Sequence, residues 1–146
     1  LTPLFGSLYD RIGKGATLML IGSVMLTAVH FIFAIHILPY WWFAVIVMIT
    51  LGIAFSLVPS AMWPSVPKII PMKTLGSAYS IIFYIQNIGL SLVPVLIGKI
   101  NGIDQTYTTS MSIFCAFGAA AVVLSVLLII IDKKKHYGLQ EANIKK

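Results

Sequence analysis

Residues 6–15 read G-S-L-Y-D-R-I-G-K-G, a polar stretch of the form G-x-x-x-D-R-x-G-K that stands immediately before a long apolar run. Its three glycines suit a tight turn, where the backbone takes positive φ or passes close to a neighbour. A carboxylate here can accept hydrogen bonds from a helix N-terminus, and the basic side chains can pair with carboxylates or lipid phosphates. The candidate functional residues of this stretch are Gly6, Asp10, Arg11, Gly13 and Lys14.

The composition is that of a membrane protein. The chain has 146 residues, of which 59% are hydrophobic and 10% are charged. A soluble domain of this length could not hide so much apolar surface. Four apolar windows have the length of a bilayer-spanning helix, about 20 residues, so we predict an all-α membrane protein. The predicted spans are residues 16–35, 43–61, 75–97 and 108–131.

Short polar or aromatic segments separate these spans. Pro39 and the aromatic residues 40–42 fit a belt at a membrane–water interface. The prolines at positions 64, 67 and 71 predict that the helix of the second span does not continue beyond residue 61. We expect residues 1–8 to end another helix, residues 9–15 to form a loop, and residues 132–146 to form a tail.

The basic residues predict the orientation in the membrane. Nine of the ten Lys and Arg residues fall on one side of the predicted spans, and Lys99 alone falls on the other. Because cytoplasmic segments carry an excess of Lys and Arg, the loop at 9–15, the proline-containing connection and the tail are predicted to be cytoplasmic. The net charge of +6 is thereby explained by orientation, and no nucleic-acid partner is expected. The nine residues are Arg11, Lys14, Lys68, Lys73, Lys133, Lys134, Lys135, Lys145 and Lys146.

The D-R-x-G-K pattern, placed before a span and on the cytoplasmic side, resembles the signature loop of the major facilitator superfamily. In that family the loop joins the second and third helices of each six-helix half. The resemblance implies a twelve-helix fold in which residues 1–8 end the eighth helix and the four complete spans are the ninth to the twelfth. It also implies that Asp10 braces one half of the transporter against the other. The alternative is a plain charged turn that only sets orientation.

Polar side chains inside the spans indicate where a solute could pass, because they are costly in lipid and tend to face a bundle interior or a wet cavity. Four of them in the third span share one helical face, at spacings of four, three and four residues. A second row lies near the cytoplasmic end of the second span. The alternative is that these groups only bond neighbouring helices, with glycines permitting close approach. The two rows are Ser80, Tyr84, Asn87 and Ser91, and Ser56, Ser60 and Trp63.

Other chemistry receives no support from the sequence. All four carboxylates, Asp10, Asp104, Asp132 and Glu141, lie outside the predicted spans, so none serves here as an intramembrane proton carrier. This leaves a facilitative uniporter, or coupling residues elsewhere. No cluster has metal-ligand spacing and no nucleophile stands with a base or phosphate-binding loop, so we expect no enzyme activity, no metal and no cofactor.

Three blocks give a closer resemblance: S-A-M-W-P-S at 60–65, L-G-S-A-Y at 75–79 and I-Q-N-I-G-L at 85–90. They are similar to a lysosomal, dipeptide-transporting branch of the superfamily. This resemblance implies facilitated export of dipeptides from lysosomes, a multi-pass protein of the lysosomal membrane, and a glycosylated single-span accessory partner. Two alternatives stay open, namely a superfamily carrier of another organic solute and a four-span scaffold that transports nothing.

Overall fold

The computed structural model describes residues 1–36 and 40–144, so Pro39, Lys145 and Lys146 of the preceding predictions lie outside the described residues. Within these ranges the chain forms five α-helices and one short 3₁₀ turn over Met72–Thr74. The helices are α1 Thr2–Ile12, α2 Gly15–Ala34, α3 Trp41–Ile69, α4 Leu75–Ile103 and α5 Thr108–Lys135.

Four of the described helices, α2 to α5, are long and apolar enough to cross a membrane. This confirms the prediction of an all-α membrane protein with four spans. All but α2 are longer than the predicted apolar windows, because the helical backbone continues into the polar segments that flank them. The largest such extension is at the end of α3, which runs to Ile69 and not to Ala61.

The prediction that prolines end this helix is wrong for Pro64 and Pro67, which lie inside α3. Proline lacks an N–H and therefore leaves the carbonyl four residues earlier without its helical donor. For Pro67 that carbonyl belongs to Trp63, and the hydroxyl of Tyr79 on α4 donates to it at 3.0 Å. A side chain from the next helix thus replaces the missing backbone bond. The helix ends before Pro71, where Ile70 is extended, as expected for a residue that precedes proline.

The predicted loop at 9–15 is also shorter than expected. Helix α1 continues through Ile12, so Asp10 and Arg11 lie on its last turn, and only Gly13 and Lys14 connect it to α2. Both linking residues have positive φ, 72° for Gly13 and 58° for Lys14. Two residues of positive φ in succession, of which Lys14 is in the left-handed helical region, allow the chain to turn within so short a connection.

Helix α2 is the centre of the packing, with α3 on one side and α5 on the other, while α1 packs on α3. Two glycines allow the close approach. A Cβ atom built at Gly22 would lie 2.6 Å from Val58 Cγ2 on α3, and one built at Gly118 on α5 would lie 3.0 Å from Thr27 Cα. Small residues have this role in membrane helix packing, where hydrophobicity does not hold helices together.

Helix α4 lies apart from that packing. It has no buried residue, and its contacts with α5, with the 3₁₀ turn and, around Trp63, with α3 are sparse. No other part of the described chain lies within 4 Å of a Cβ built at Gly76, Gly89 or Gly98. The α4 glycines therefore do not mediate close helix packing within the described residues.

Candidate functional site

The four polar residues of α4 lie on one exposed face. Ser80, Tyr84, Asn87 and Ser91 fall within roughly 60° of one another around the helix axis, at about 100° per residue. All four are exposed, and the Tyr84 side chain retains 70% of its accessible surface. The predicted polar face of the third span is thus present as a continuous, accessible surface.

Three of these side chains bond their own helix. The hydroxyl of Ser80 donates to the Gly76 carbonyl at 3.0 Å, and the amide of Asn87 donates to the Phe83 carbonyl at 2.8 Å. The hydroxyl of Ser91 donates to the Ile88 carbonyl at 3.0 Å. These bonds satisfy one donor on each side chain and leave lone pairs for a second partner.

The predicted row on α3 is not a single accessible surface. Ser60 is buried, with 5% of its surface exposed, and its hydroxyl donates to the Leu57 carbonyl at 2.7 Å. Ser56 is half-buried and bonds the Gly52 carbonyl. Trp63 is half-buried and points towards α4. Of this row, Trp63 alone lies beside the helix that carries the polar face.

An aromatic junction joins α3 to α4. The ring of Trp63 stacks on Phe83 with centroids 4.8 Å apart, and the Tyr79 ring lies 5.9 Å from it. Tyr79 also supplies the hydroxyl that bonds the Trp63 carbonyl. Sequence reasoning missed Tyr79 and Phe83 as partners of Trp63. The available signal was Pro67, which leaves a carbonyl one helical turn earlier in need of a donor.

The charged turn between α1 and α2 occupies one end of the bundle. Gly6 lies within α1, with nothing within 4 Å of a built Cβ, while Gly13 is buried in the turn. Arg11 and Lys14 are exposed. The Asp10 carboxylate accepts a hydrogen bond from the Asn143 side-chain amide at 2.7 Å, across 133 residues of sequence.

The sequence indicated that Asp10 can accept hydrogen bonds from a helix N-terminus, and it gave no sign of Asn143 as a partner. The tail that carries Asn143 starts later than predicted, because α5 continues to Lys135. Asp132 is therefore a helical residue and is buried, and its carboxylate accepts the Leu139 N–H at 3.0 Å. Among the described residues, no group of three or more metal-ligating side chains is assembled.

Helices of membrane-spanning length, short turns between them and a polar face on one helix define a polytopic helical membrane protein. The family model described as Major Facilitator Superfamily matches residues 1–143. The chain therefore belongs to the major facilitator superfamily, which confirms the resemblance carried by residues 6–15.

The chain is similar to curated proteins named lysosomal dipeptide transporter MFSD1. It is 32% identical to that of Bos taurus over 129 residues, or 88% of this chain and 26% of the relative. It is 35% identical to that of Gallus gallus over 100 residues, 68% of this chain and 22% of the relative. The Homo sapiens protein is 29% identical over 138 residues, 94% of this chain and 28% of the relative. The chain thus spans about a quarter of the length of these relatives, and no solved structure matches it significantly.

Proposed function

We propose that this chain is part of a carrier that moves dipeptides across the lysosomal membrane by facilitated, alternating-access uniport. The single observation that carries the proposal is the exposed polar face of α4. Helices α2, α3 and α5 bury polar groups against one another, whereas α4 presents four polar side chains that the described chain leaves uncovered. Because polar groups in a bilayer favour a protein interior or a wet cavity, this face is suited to a solute path.

The chemistry of the face fits a peptide bond. A dipeptide has an amide donor and acceptor between two charged termini. The Tyr84 hydroxyl and the Asn87 amide can each donate and accept hydrogen bonds, and they lie one turn apart on α4. We assign them contacts with the peptide amide. No charged residue of α2 to α5 lies on the polar face, so we assign the charged termini to residues outside this chain.

The names of the relatives support the compartment, and the basic residues support the orientation. The relatives are described as lysosomal, and Lys and Arg cluster at the end of the bundle that carries the charged turn. We therefore propose a multi-pass lysosomal membrane protein with this end in the cytoplasm. A glycosylated single-span accessory protein belongs to the same proposal and is supported only by the closer resemblance.

Uptake of radiolabelled dipeptides into proteoliposomes containing the full-length protein tests the proposal. We expect Tyr84→Phe and Asn87→Ala to raise KM by roughly two- to tenfold, since each removes one hydrogen bond. Gln86→Ala is the matched control, because Gln86 is an exposed α4 side chain on a different face and its loss should leave KM unchanged.

The outcomes separate the alternatives. If all three variants show saturable uptake with the KM of the wild-type protein, the polar face is a helix contact and does not lie on the path. Folded protein that takes up no dipeptide would overturn the dipeptide assignment. In that case a panel of other organic solutes distinguishes a different carrier from a non-transporting scaffold.

A further inference from the structure

The tail after α5 folds back onto the turn between α1 and α2. His136 ends α5 with a left-handed backbone (φ 55°), and Gly138 has φ 75°, so the chain reverses direction there. The carbonyl of Gln140 then accepts the Lys14 N–H at 3.0 Å, and the carbonyl of Leu139 accepts the Gly15 N–H at 2.9 Å. Residues 137–144 are called the tail clasp below.

These two bonds solve a problem that α2 has at its start. The first N–H groups of a helix have no partner within it and need an outside acceptor. Lys14 stands at the N-cap position of α2 and provides no side-chain cap. The backbone of the tail clasp supplies acceptors for the N–H groups of this N-cap residue and of Gly15, the first helical residue, whereas a side-chain cap bonds the second or third helical N–H.

The fit between turn and tail clasp is close. Leu139 is completely buried, and its N–H donates to the carboxylate of Asp132. A Cβ atom at Gly13 would lie 2.5 Å from the Ala142 nitrogen, and one at Gly15 would lie 3.1 Å from the Leu139 oxygen. The two glycines thus let tail backbone lie directly against turn backbone.

The tail clasp also ties together four helices. Asn143 bonds the Asp10 carboxylate on α1, the Ile144 N–H bonds the Asp10 carbonyl at 3.0 Å, and Gln140 bonds the Thr17 hydroxyl on α2. On α3, the Lys68 ammonium donates to two clasp carbonyls, at 3.1 Å and 2.8 Å. Asp132 makes the connection to α5. No hydrogen bond from the described part of the tail clasp reaches α4.

From these contacts we infer that the tail clasp is a positioning element that holds the charged turn, with its Asp10 carboxylate, in place against α2, α3 and α5. Leu139 anchors the tail clasp and Asn143 orients Asp10. Its effect on transport rests on the proposed function, whereas its effect on the turn does not. Release of the tail clasp frees the charged turn and thereby lowers turnover. Because the tail clasp bonds no part of the α4 polar face, its release leaves substrate affinity unchanged.

Hydrogen exchange in the full-length protein tests whether the tail clasp holds the charged turn in place. Leu139→Asp places a charge in a fully buried site and should release the tail clasp. We expect the amides of Lys14 and Gly15 to exchange at least tenfold faster in this variant. Glu141→Gln, which changes an exposed side chain of the same segment, should leave them protected. Unchanged protection of Lys14 and Gly15 in Leu139→Asp, with α2 and α3 intact, would overturn the inference.

Exchanging the amide and the carboxylate between positions 143 and 10 tests the role of Asn143. Asn143→Asp sets one carboxylate against another and should expose the Ile144 amide, whose acceptor is the Asp10 carbonyl. Adding Asp10→Asn restores one donor and one acceptor in the opposite order, so protection of Ile144 should return. If the double variant exchanges as fast as Asn143→Asp, Asn143 does not orient Asp10.

Dipeptide uptake by the same variants tests whether release of the tail clasp lowers turnover. We expect Leu139→Asp to lower kcat at least fivefold with KM unchanged, and Glu141→Gln to lower neither. A raised KM, or faster amide exchange with unchanged kcat, would overturn the positioning role. If the wild-type protein transports no dipeptide, the proposed function fails, while the exchange experiments still decide whether the tail clasp holds the turn.

Discussion

Pro67 removes the backbone N–H that would bond the Trp63 carbonyl, and the hydroxyl of Tyr79 donates to that carbonyl at 3.0 Å. One side chain on α4 therefore permits a proline inside α3. The same contact places the Tyr79 and Phe83 rings against Trp63. Here α3 and α4 are coupled both by a hydrogen bond to an otherwise unpaired backbone carbonyl and by aromatic packing.

This coupling predicts the effect of removing one hydrogen bond. Tyr79→Phe leaves the Trp63 carbonyl without a donor and should cost about 1 kcal/mol of stability. Pro67→Ala restores the helical N–H, so Tyr79→Phe should cost much less when combined with it. Thermal unfolding of the four proteins in detergent micelles completes the double-mutant cycle. Tyr84→Phe, at a 70% exposed site of the same helix, is the control, and additive effects of the paired changes would contradict the coupling.

The elements themselves were partly predictable from the sequence. Four apolar windows near the length of a bilayer span predicted four helices, because that length is set by the membrane and not by distant contacts. The helix ends were not predictable in the same way. Proline is disfavoured inside a helix for local reasons. At Pro67 the lost hydrogen bond is replaced by one from Tyr79, which only the folded structure brings near.

The start of α5 shows an end that is fixed locally. The Asp104 carboxylate accepts the backbone N–H groups of Thr106 at 3.0 Å and Thr109 at 2.9 Å, and also bonds the Thr106 hydroxyl. An anion at this position satisfies free donors at the helix N-terminus and is favoured by the helix dipole. These hydrogen bonds, from Thr106 first and then Thr109, hold the pKa of Asp104 well below its ordinary value of 3.8.

This lowered pKa predicts how the cap responds to acid. A carboxylate whose pKa is lower in the folded state contributes its full stability above its unfolded pKa and loses it as pH falls from there through the folded pKa. Asp104→Ala should therefore lower the melting temperature by equal amounts at about pH 7 and about pH 5. Gln105→Ala, at an exposed neighbouring position, should change it little at either pH. A destabilisation by Asp104→Ala that shrinks towards the lower pH would show that the carboxylate titrates in this range.

In the whole molecule, α1, α2, α3 and α5 form a closely bonded group, and α4 contacts that group sparsely, at Trp63 of α3 and at α5. Helix α2 packs between α3 and α5, and the tail clasp fastens the same helices to α1 at one end. The polar face of α4 followed from sequence spacing because four residues in one helix share a face by geometry alone. The Asp10–Asn143 contact did not, since a separation of 133 residues leaves no periodic signal.

The reactivity of a thiol placed on the polar face of α4 reports what surrounds that face. If that face lines a water-filled path, a thiol placed there will ionise and react with a membrane-impermeant methanethiosulfonate reagent. In a Cys115→Ser background, Tyr84→Cys should label rapidly in proteoliposomes, and a dipeptide should slow the labelling. Leu124→Cys on α5 is the matched control, because Leu124 is 65% exposed and Tyr84 is 70% exposed. The surroundings of Leu124 are mostly apolar, so a cysteine at position 124 should label slowly with or without dipeptide.

The comparison depends on the difference between the two sites, because their exposure in this chain is nearly equal. Rapid labelling at position 84 with dipeptide protection places α4 on the solute path. Equally slow labelling at both positions means that lipid or other protein covers the polar face, and its hydroxyl and amide groups then serve as helix contacts. Rapid labelling without protection leaves the face wet but removes the dipeptide from it, which would redirect the search to the aromatic junction at Trp63.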